Sequence, residues 1–193
     1  MVAPATYKGV LERFAALPQH IREYFWSVED LVRAYPWEIA IAHVFSQVER
    51  AKHMTIYCGI VKRHSTDAEL TWRLVEADHM SRGRFRELFD VAFGCPIPDA
   101  LAAKLSAAEK IRDKIIHGKD WTDAQAREAL CDAFDFAEGF DAFSRELGGF
   151  SPFGDLRGFK GRGEALSKET SHWVLRGMGL GVRSDRGGTR GEV

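Results

Sequence analysis

The sequence is poor in the patterns that build sheets and membrane spans. No stretch sustains the alternation of apolar and polar residues expected of a strand, which argues against a sheet-based fold. No apolar run approaches the roughly 20 uncharged residues that a bilayer span requires; the longest candidate, 37–48, is interrupted by Glu38, His43, Ser46 and Gln47. The first residues, MVAPATYKGVLERF, have no basic segment followed by an apolar run and a small-residue cleavage site. A cytoplasmic protein with no membrane partner is therefore expected. Cysteine is scarce, and Cys58, Cys95 and Cys131 lie far apart, in apolar surroundings and in no metal-pair spacing. That is the setting of inert core thiols rather than nucleophiles. Also missing are a Gly-rich phosphate loop after a strand and a Gly-x-Ser-x-Gly nucleophile turn.

Charge of one sign is not in excess either. The net charge of −1 argues on its own against a nucleic-acid partner, but the distribution is uneven. Residues 147–193 carry eight Lys and Arg against five Asp and Glu, while residues 1–146 carry 19 against 23. A mildly acidic body ends in a basic tail.

What is present is helical periodicity. With 193 residues, 45% of them hydrophobic, the chain can bury one sizeable core. Apolar spacing predicts helices over 6–17 and 19–35, the second closed by Tyr35-Pro36. A long helix is predicted over 36–64, opened by Pro36. Thr66-Asp67-Ala68-Glu69 reads as a capping box for a helix that continues towards Phe93, with a break near Ser81-Arg82-Gly83. Pro98-Asp99 opens the next helix, which Gly118 terminates. Thr122-Asp123-Ala124-Gln125 is a second capping box, for a helix to Leu147. The expected fold is all-α, an up-and-down helical bundle of about five main helices over 1–147. A Gly/Arg-rich C-terminal arm follows over 148–193, with one helix-like piece at about 164–176. Its glycines predict mobility, whereas Phe150, Phe153, Phe159, Trp173, Leu175, Met178 and Leu180 predict partial order through docking. Arg157, Lys160, Arg162, Arg176, Arg183, Arg186 and Arg190, interleaved with Phe159 and Trp173, could also track single-stranded RNA by charge and stacking.

The segment KIRDKIIHGKDW, 110–121, sets an arginine, an acid and a histidine at the end of an apolar helix. Arg112 and His117 are five residues apart, so on an ideal helix they point about 140° from each other. They converge only if the helix frays at Gly118, or if a second copy brings the same motif across a two-fold axis. The chemistry of such a cluster suits RNA. Histidine titrates near neutrality and can take a proton from a ribose 2′-hydroxyl or give one to the leaving 5′-oxygen. Arginine stays charged and can grip phosphate oxygens in a bidentate way as their charge grows. Asp113 could orient either group, and Lys114 and Lys119 would add sequence-independent attraction for the RNA backbone. A chain of this composition yields on the order of half an Arg-x4-His match by chance, and this chain has one. Its context, late in an all-helical chain on an apolar helix ended by Gly, gives it weight. The plainer reading is a helix C-terminus whose His117 and Lys119 complement the dipole, with Arg112 solvated.

Arg112-Asp113-Lys114-Ile115-Ile116-His117-Gly118, on the penultimate main helix of a small bundle, resembles the Arg-x4-6-His motif of the HEPN superfamily. The resemblance implies a four-to-five-helix domain that works as a homodimer. It also implies a composite, metal-independent endoribonuclease site with no cofactor, of the toxin or abortive-infection defence type, with RNA as substrate and, in the toxin branch, an antitoxin protein as partner. By this resemblance Arg112 and His117 match the catalytic pair, and Asp113 occupies the variable polar position, where Asn is commoner. Lys119 stands where one toxin branch has a tyrosine that its antitoxin modifies, so that regulation is not carried over.

The alternative is a non-catalytic helical interaction or RNA-binding module. A di-iron reading rests on Glu76 with His79 and Glu169 with His172, both Glu-x-x-His. It lacks a pair of inward glutamates on the bundle helices to complete the ligand set. Glu38, His43, Glu49 and His53 share the long helix, where His43 is expected to be a hydrogen-bonded core or interface group.

Overall fold

The computed structural model describes residues 4–154 and 163–181, which form helices and no strands. The fold is an all-α bundle. Its helices are α1 (Tyr7–Ala15), α2 (Gln19–Tyr24), α3 (Val28–Ala34), α4 (Trp37–His64), α5 (Ala68–Glu76), α6 (Arg82–Phe93), α7 (Asp99–Ile116), α8 (Asp123–Gly148) and α9 (Lys168–Gly177). The long α4 is the spine, packed against α3, α5, α6, α7 and α8. Side-chain contacts fix the directions. Tyr57 meets Trp72 across the short α4–α5 turn, and His64 reaches the Ala92 carbonyl on α6 at 3.0 Å. Lys52 meets Glu109 on α7, and Lys104 on α7 meets Asp132 and Asp135 on α8. From α4 to α8 the chain therefore runs up and down five times. Helices α1 and α3 pack along α8 and α4, and α9 lies on α5.

Local chemistry explains most boundaries. At α8 both halves of the expected capping box are made: the Gln125 amide donates to Thr122 Oγ1 at 3.3 Å, and the Thr122 amide donates to Gln125 Oε1 at 3.1 Å. At α5 the cap falls one residue later than expected. Asp67 Oδ1 accepts from the Leu70 amide at 2.8 Å, while the buried Thr66 hydroxyl pairs with Thr71 Oγ1 at 2.8 Å. Ser81 caps α6, so the break expected near 81–83 lies at 77–81. The single helix expected over 19–35 is two, interrupted at Phe25-Trp26-Ser27. There Phe25 is buried against Phe134 and Phe153, while Trp26 and Ser27 turn to His43 on α4.

The core is rich in phenylalanine. Phe85, Phe89, Phe93, Phe136 and Phe140 form one connected set of rings, some stacked and some edge-on, where α6 meets α8. Gly59 on α4 serves this set, because a Cβ there would lie 2.3 Å from the Phe93 ring. Burial holds the Cys58 thiol at a pKa of about 12 and the Cys131 thiol at about 11, as befits inert core groups.

The arm after α8 docks where it is described. Phe150 and Phe153 are buried in the bundle core, and Leu175 and Leu180 are buried beside α5. The Leu166 amide donates to the Ser65 carbonyl at 2.7 Å, Ser171 Oγ accepts from the Asp67 amide at 2.8 Å, and Arg84 donates to the Gly179 carbonyl at 2.8 Å. Arg157, Phe159, Lys160, Arg162, Arg183, Arg186 and Arg190 lie outside the described residues, so the strand-tracking expectation is left with Arg176 and the exposed Trp173.

Buried Asp141 on α8 ties the start of this arm to the bundle. Its carboxylate accepts from the Ser151 hydroxyl and from Arg145 Nε at 2.8 Å, and it meets His20 Nε2 at 2.9 Å. Asp141→Ala should cost about 2–3 kcal/mol through the stranded partners. Differential scanning calorimetry should show a Tm lower by roughly 4–12 °C.

Candidate functional site

Helix α7 carries the Arg112–His117 segment, and its end is ordered rather than frayed. Gly118 takes a left-handed φ of +62°. Its amide donates to the Ile115 carbonyl at 3.2 Å, and the Lys119 amide donates to the Lys114 carbonyl at 2.9 Å. These are the two bonds of a Schellman cap. Fraying at Gly118, the single-chain route to bringing Arg112 and His117 together, is thus replaced by a fixed terminus. His117 sits at the C-cap, exposed, next to Ile116, which is 57% exposed.

Arg112 points elsewhere, towards α4. Its guanidinium lies over the Phe45 ring, 5.4 Å from the centroid. Arg112 Nε is 3.0 Å from Asp113 Oδ1, and Nη2 is 3.8 Å from Glu49 Oε1. The second distance is too long for a hydrogen bond, and buried Nε makes none with acceptable geometry. Arg112 is therefore held by charge and by an aromatic face while keeping donors to spare.

These contacts belong to a closed ring of alternating charges. Lys52 Nζ donates to Glu49 Oε1 at 2.9 Å and to Glu109 Oε1 at 2.5 Å. Glu109 Oε2 meets Arg82 Nε at 2.5 Å. Arg82 also pairs with Asp113, Asp113 with Arg112, and Arg112 with Glu49. Three cations face three anions, contributed by α4, α6 and α7. Lys52 and Glu109 are each 1% exposed. Lys52 hydrogen-bonds both Glu49 and Glu109, whereas Glu109 Oε2 meets Arg82 by charge without a well-formed hydrogen bond, and these contacts link the three helices. The ring also gives the half-buried Asp113 carboxylate a second partner, Arg82, beside Arg112.

The ring forms one wall of an open cleft of about 660 Å3. Its other walls are His53 from α4, the 78–81 turn with Asp78 and His79, and Gly83 at the start of α6. Of the residues assigned to the ribonuclease motif, Arg112 and Asp113 line this cleft and His117 does not, while Glu49, His53 and His79, weighed for other roles, also line it. Among the described residues no ion pair engages Lys114, His117 or Lys119. Lys114 is half-buried and Lys119 exposed. The histidines that share the cleft with Arg112 are His53 and His79.

Lys52, Arg82 and Glu109 were missed as site residues in the sequence. Glu109 sits at a core position between Ala108 and Ile111 and lies three and four residues before Arg112 and Asp113. That spacing on a helix face was the available signal. His43 fits the core-group expectation: its Nε2 lies 3.2 Å from Ser27 Oγ, and burial lowers its pKa. Glu76, His79, Glu169 and His172 are exposed, and no group of three or more metal-ligating side chains occurs among the described residues. No described helix is long and apolar enough to cross a membrane. No protein-family model, curated protein or solved structure matches the chain.

Removing one member of the buried pair should be far worse than removing both. Glu109→Ala leaves buried Lys52 with Glu49 alone and Arg82 with Asp113 alone, and should cost about 3–5 kcal/mol in urea unfolding. The double variant Lys52→Met with Glu109→Leu should recover most of that loss. Equal losses in the single and double variants would show that the ring does not hold these helices.

Proposed function

We propose that the protein is a HEPN-type, metal-independent endoribonuclease whose site is completed by a second copy of the chain. The observation that carries the reading is Arg112. It is a guanidinium fixed over Phe45 at the wall of an open cleft, and among the described residues its terminal nitrogens make no hydrogen bond. Such a group suits a phosphodiester whose non-bridging oxygens gain charge in the transition state. Its preorganisation by Glu49 and Asp113 removes the cost of ordering it at the moment of reaction.

His117 supplies the titrating group. Its place on a rigid, exposed helix end beside the apolar Ile116 suits a partner surface better than a role inside its own chain. A two-fold assembly through the α7 ends would present each His117 to the partner copy and cover two exposed isoleucines. Arg112 then stabilises the charged intermediate, His117 moves a proton, and Asp113 with Arg82 keeps the guanidinium in place. Lys114 and Lys119 attract the RNA backbone without reading sequence. Toxin or defence activity, and an antitoxin partner, are what this class of site would serve.

The second reading, a non-catalytic interaction module, is favoured by the pairing of Arg112 with Asp113 in a cleft that His117 does not line. The two separate in one assay on total RNA. Arg112→Ala and His117→Ala should each lower cleavage by at least about 100-fold, with Tm within a few degrees of wild type, and EDTA should have no effect. Cleavage by His117→Ala at the wild-type rate contradicts the reading. Ile116→Asp should give a monomer in analytical ultracentrifugation and lose cleavage with the dimer.

A further inference from the structure

The cleft holds an imidazole that the motif does not name. His53 lies one turn beyond Glu49 on α4 and lines the same cleft as Arg112. Its Nδ1 is 2.9 Å from the Glu49 carbonyl oxygen. A carbonyl oxygen only accepts, so Nδ1 carries a proton, and in the neutral ring the lone pair is on Nε2. Among the described residues no hydrogen bond or ion pair engages Nε2. A ring oriented by one nitrogen, with the other unengaged, on a residue that lines a cleft, suits a general base. The Glu49 carboxylate, which faces Arg112 at 3.8 Å, belongs to the residue whose carbonyl orients His53. Cation and base are thus mounted on one turn of α4 and the facing turn of α7.

We infer that Arg112 and His53 of one chain form a phosphodiester subsite in which His53 Nε2 takes the proton of the ribose 2′-hydroxyl. The inference rests on the ribonuclease reading and divides its labour. As the 2′-oxygen attacks phosphorus, its proton passes to His53 Nε2 and a 2′-O–P bond forms. The P–O5′ bond breaks, and the departing 5′-oxygen takes a proton from the His117 imidazolium. Arg112 holds the non-bridging oxygens throughout. The products are a 2′,3′-cyclic phosphate and a 5′-hydroxyl, and each histidine is left in the other's starting protonation state. Two imidazoles of opposite protonation are what acid–base cleavage of RNA needs, and Arg-x4-His supplies one per chain.

The bland account of His53 is a half-exposed helix residue that returns a hydrogen bond to its own backbone. Two measurements separate the accounts. In the first, uridine 3′-phosphate is titrated into the wild-type protein, with the histidine side chains followed by 15N NMR. The subsite predicts that the His53 Nε2 resonance moves with saturation and that the movement is lost in Arg112→Ala. No movement of His53 overturns it. In the second, His53→Ala should lower kcat on a short RNA by about 100-fold with KM within about threefold of wild type, whereas a packing role moves Tm and leaves kcat. A kcat equal to wild type overturns the assignment. Should wild type cleave no RNA, the ribonuclease reading fails by itself, and the NMR titration still decides the subsite.

Discussion

The buried carboxylate of Glu109, held between Lys52 and Arg82, is the interaction on which the centre of the molecule depends. A carboxylate and an ammonium taken out of water each cost several kcal/mol unless every charge finds a well-placed partner. Here Lys52 lies between Glu49 and Glu109, and Arg82 between Glu109 and Asp113, with the partners drawn from three helices. Apolar packing such as Phe93 on Gly59 already sets how α4 and α6 meet, and the charge ring adds directional contacts between α4, α6 and α7. Together they form a frame in which Arg112 has a defined place over Phe45, and the cleft beside it inherits that definition.

Much of the architecture was legible in the sequence, and the reasons differ by element. Helix α4 was visible from end to end because Pro36 suits a first turn and apolar spacing persists to His64. The α8 start was visible because Thr122 and Gln125 can cap each other in only one way. The division of 19–35 into α2 and α3 was not, because Ile21, Phe25, Val28 and Val32 keep a three-and-four spacing across the break. A reset of one turn leaves such a pattern intact. Thr66 and Asp67 can each accept from a helix amide, so local sequence does not choose between them. The choice was made by Thr71, which occupies the Thr66 hydroxyl, a tertiary fact. The arm's docking rests on Leu175 and Leu180 meeting α5, and glycine content alone pointed the other way.

The site was legible in its chemistry and not in its connections. Arg112, Asp113 and His117 stand out as a short motif, and the approximately 140° between Arg112 and His117 on the helix already placed them on different faces. The Schellman cap at Gly118 keeps them there. What no local pattern shows is that Arg82, some thirty positions earlier, offsets Asp113, or that Lys52 shares Glu109 with it. Such links depend on helix register, which only packing sets. The same holds for His53, whose tautomer follows from a backbone bond within α4 but whose significance follows from α7 lying opposite.

In the proposed reaction Arg112 clamps a scissile phosphate, and imidazoles serve as acid and base. The ends of the RNA products test this most directly. Incubation of a defined single-stranded RNA with the protein in excess EDTA, followed by mass spectrometry of the fragments, should show 2′,3′-cyclic phosphates and 5′-hydroxyls. Fragments ending in 3′-hydroxyl and 5′-phosphate, or intact RNA at high protein concentration, would contradict it.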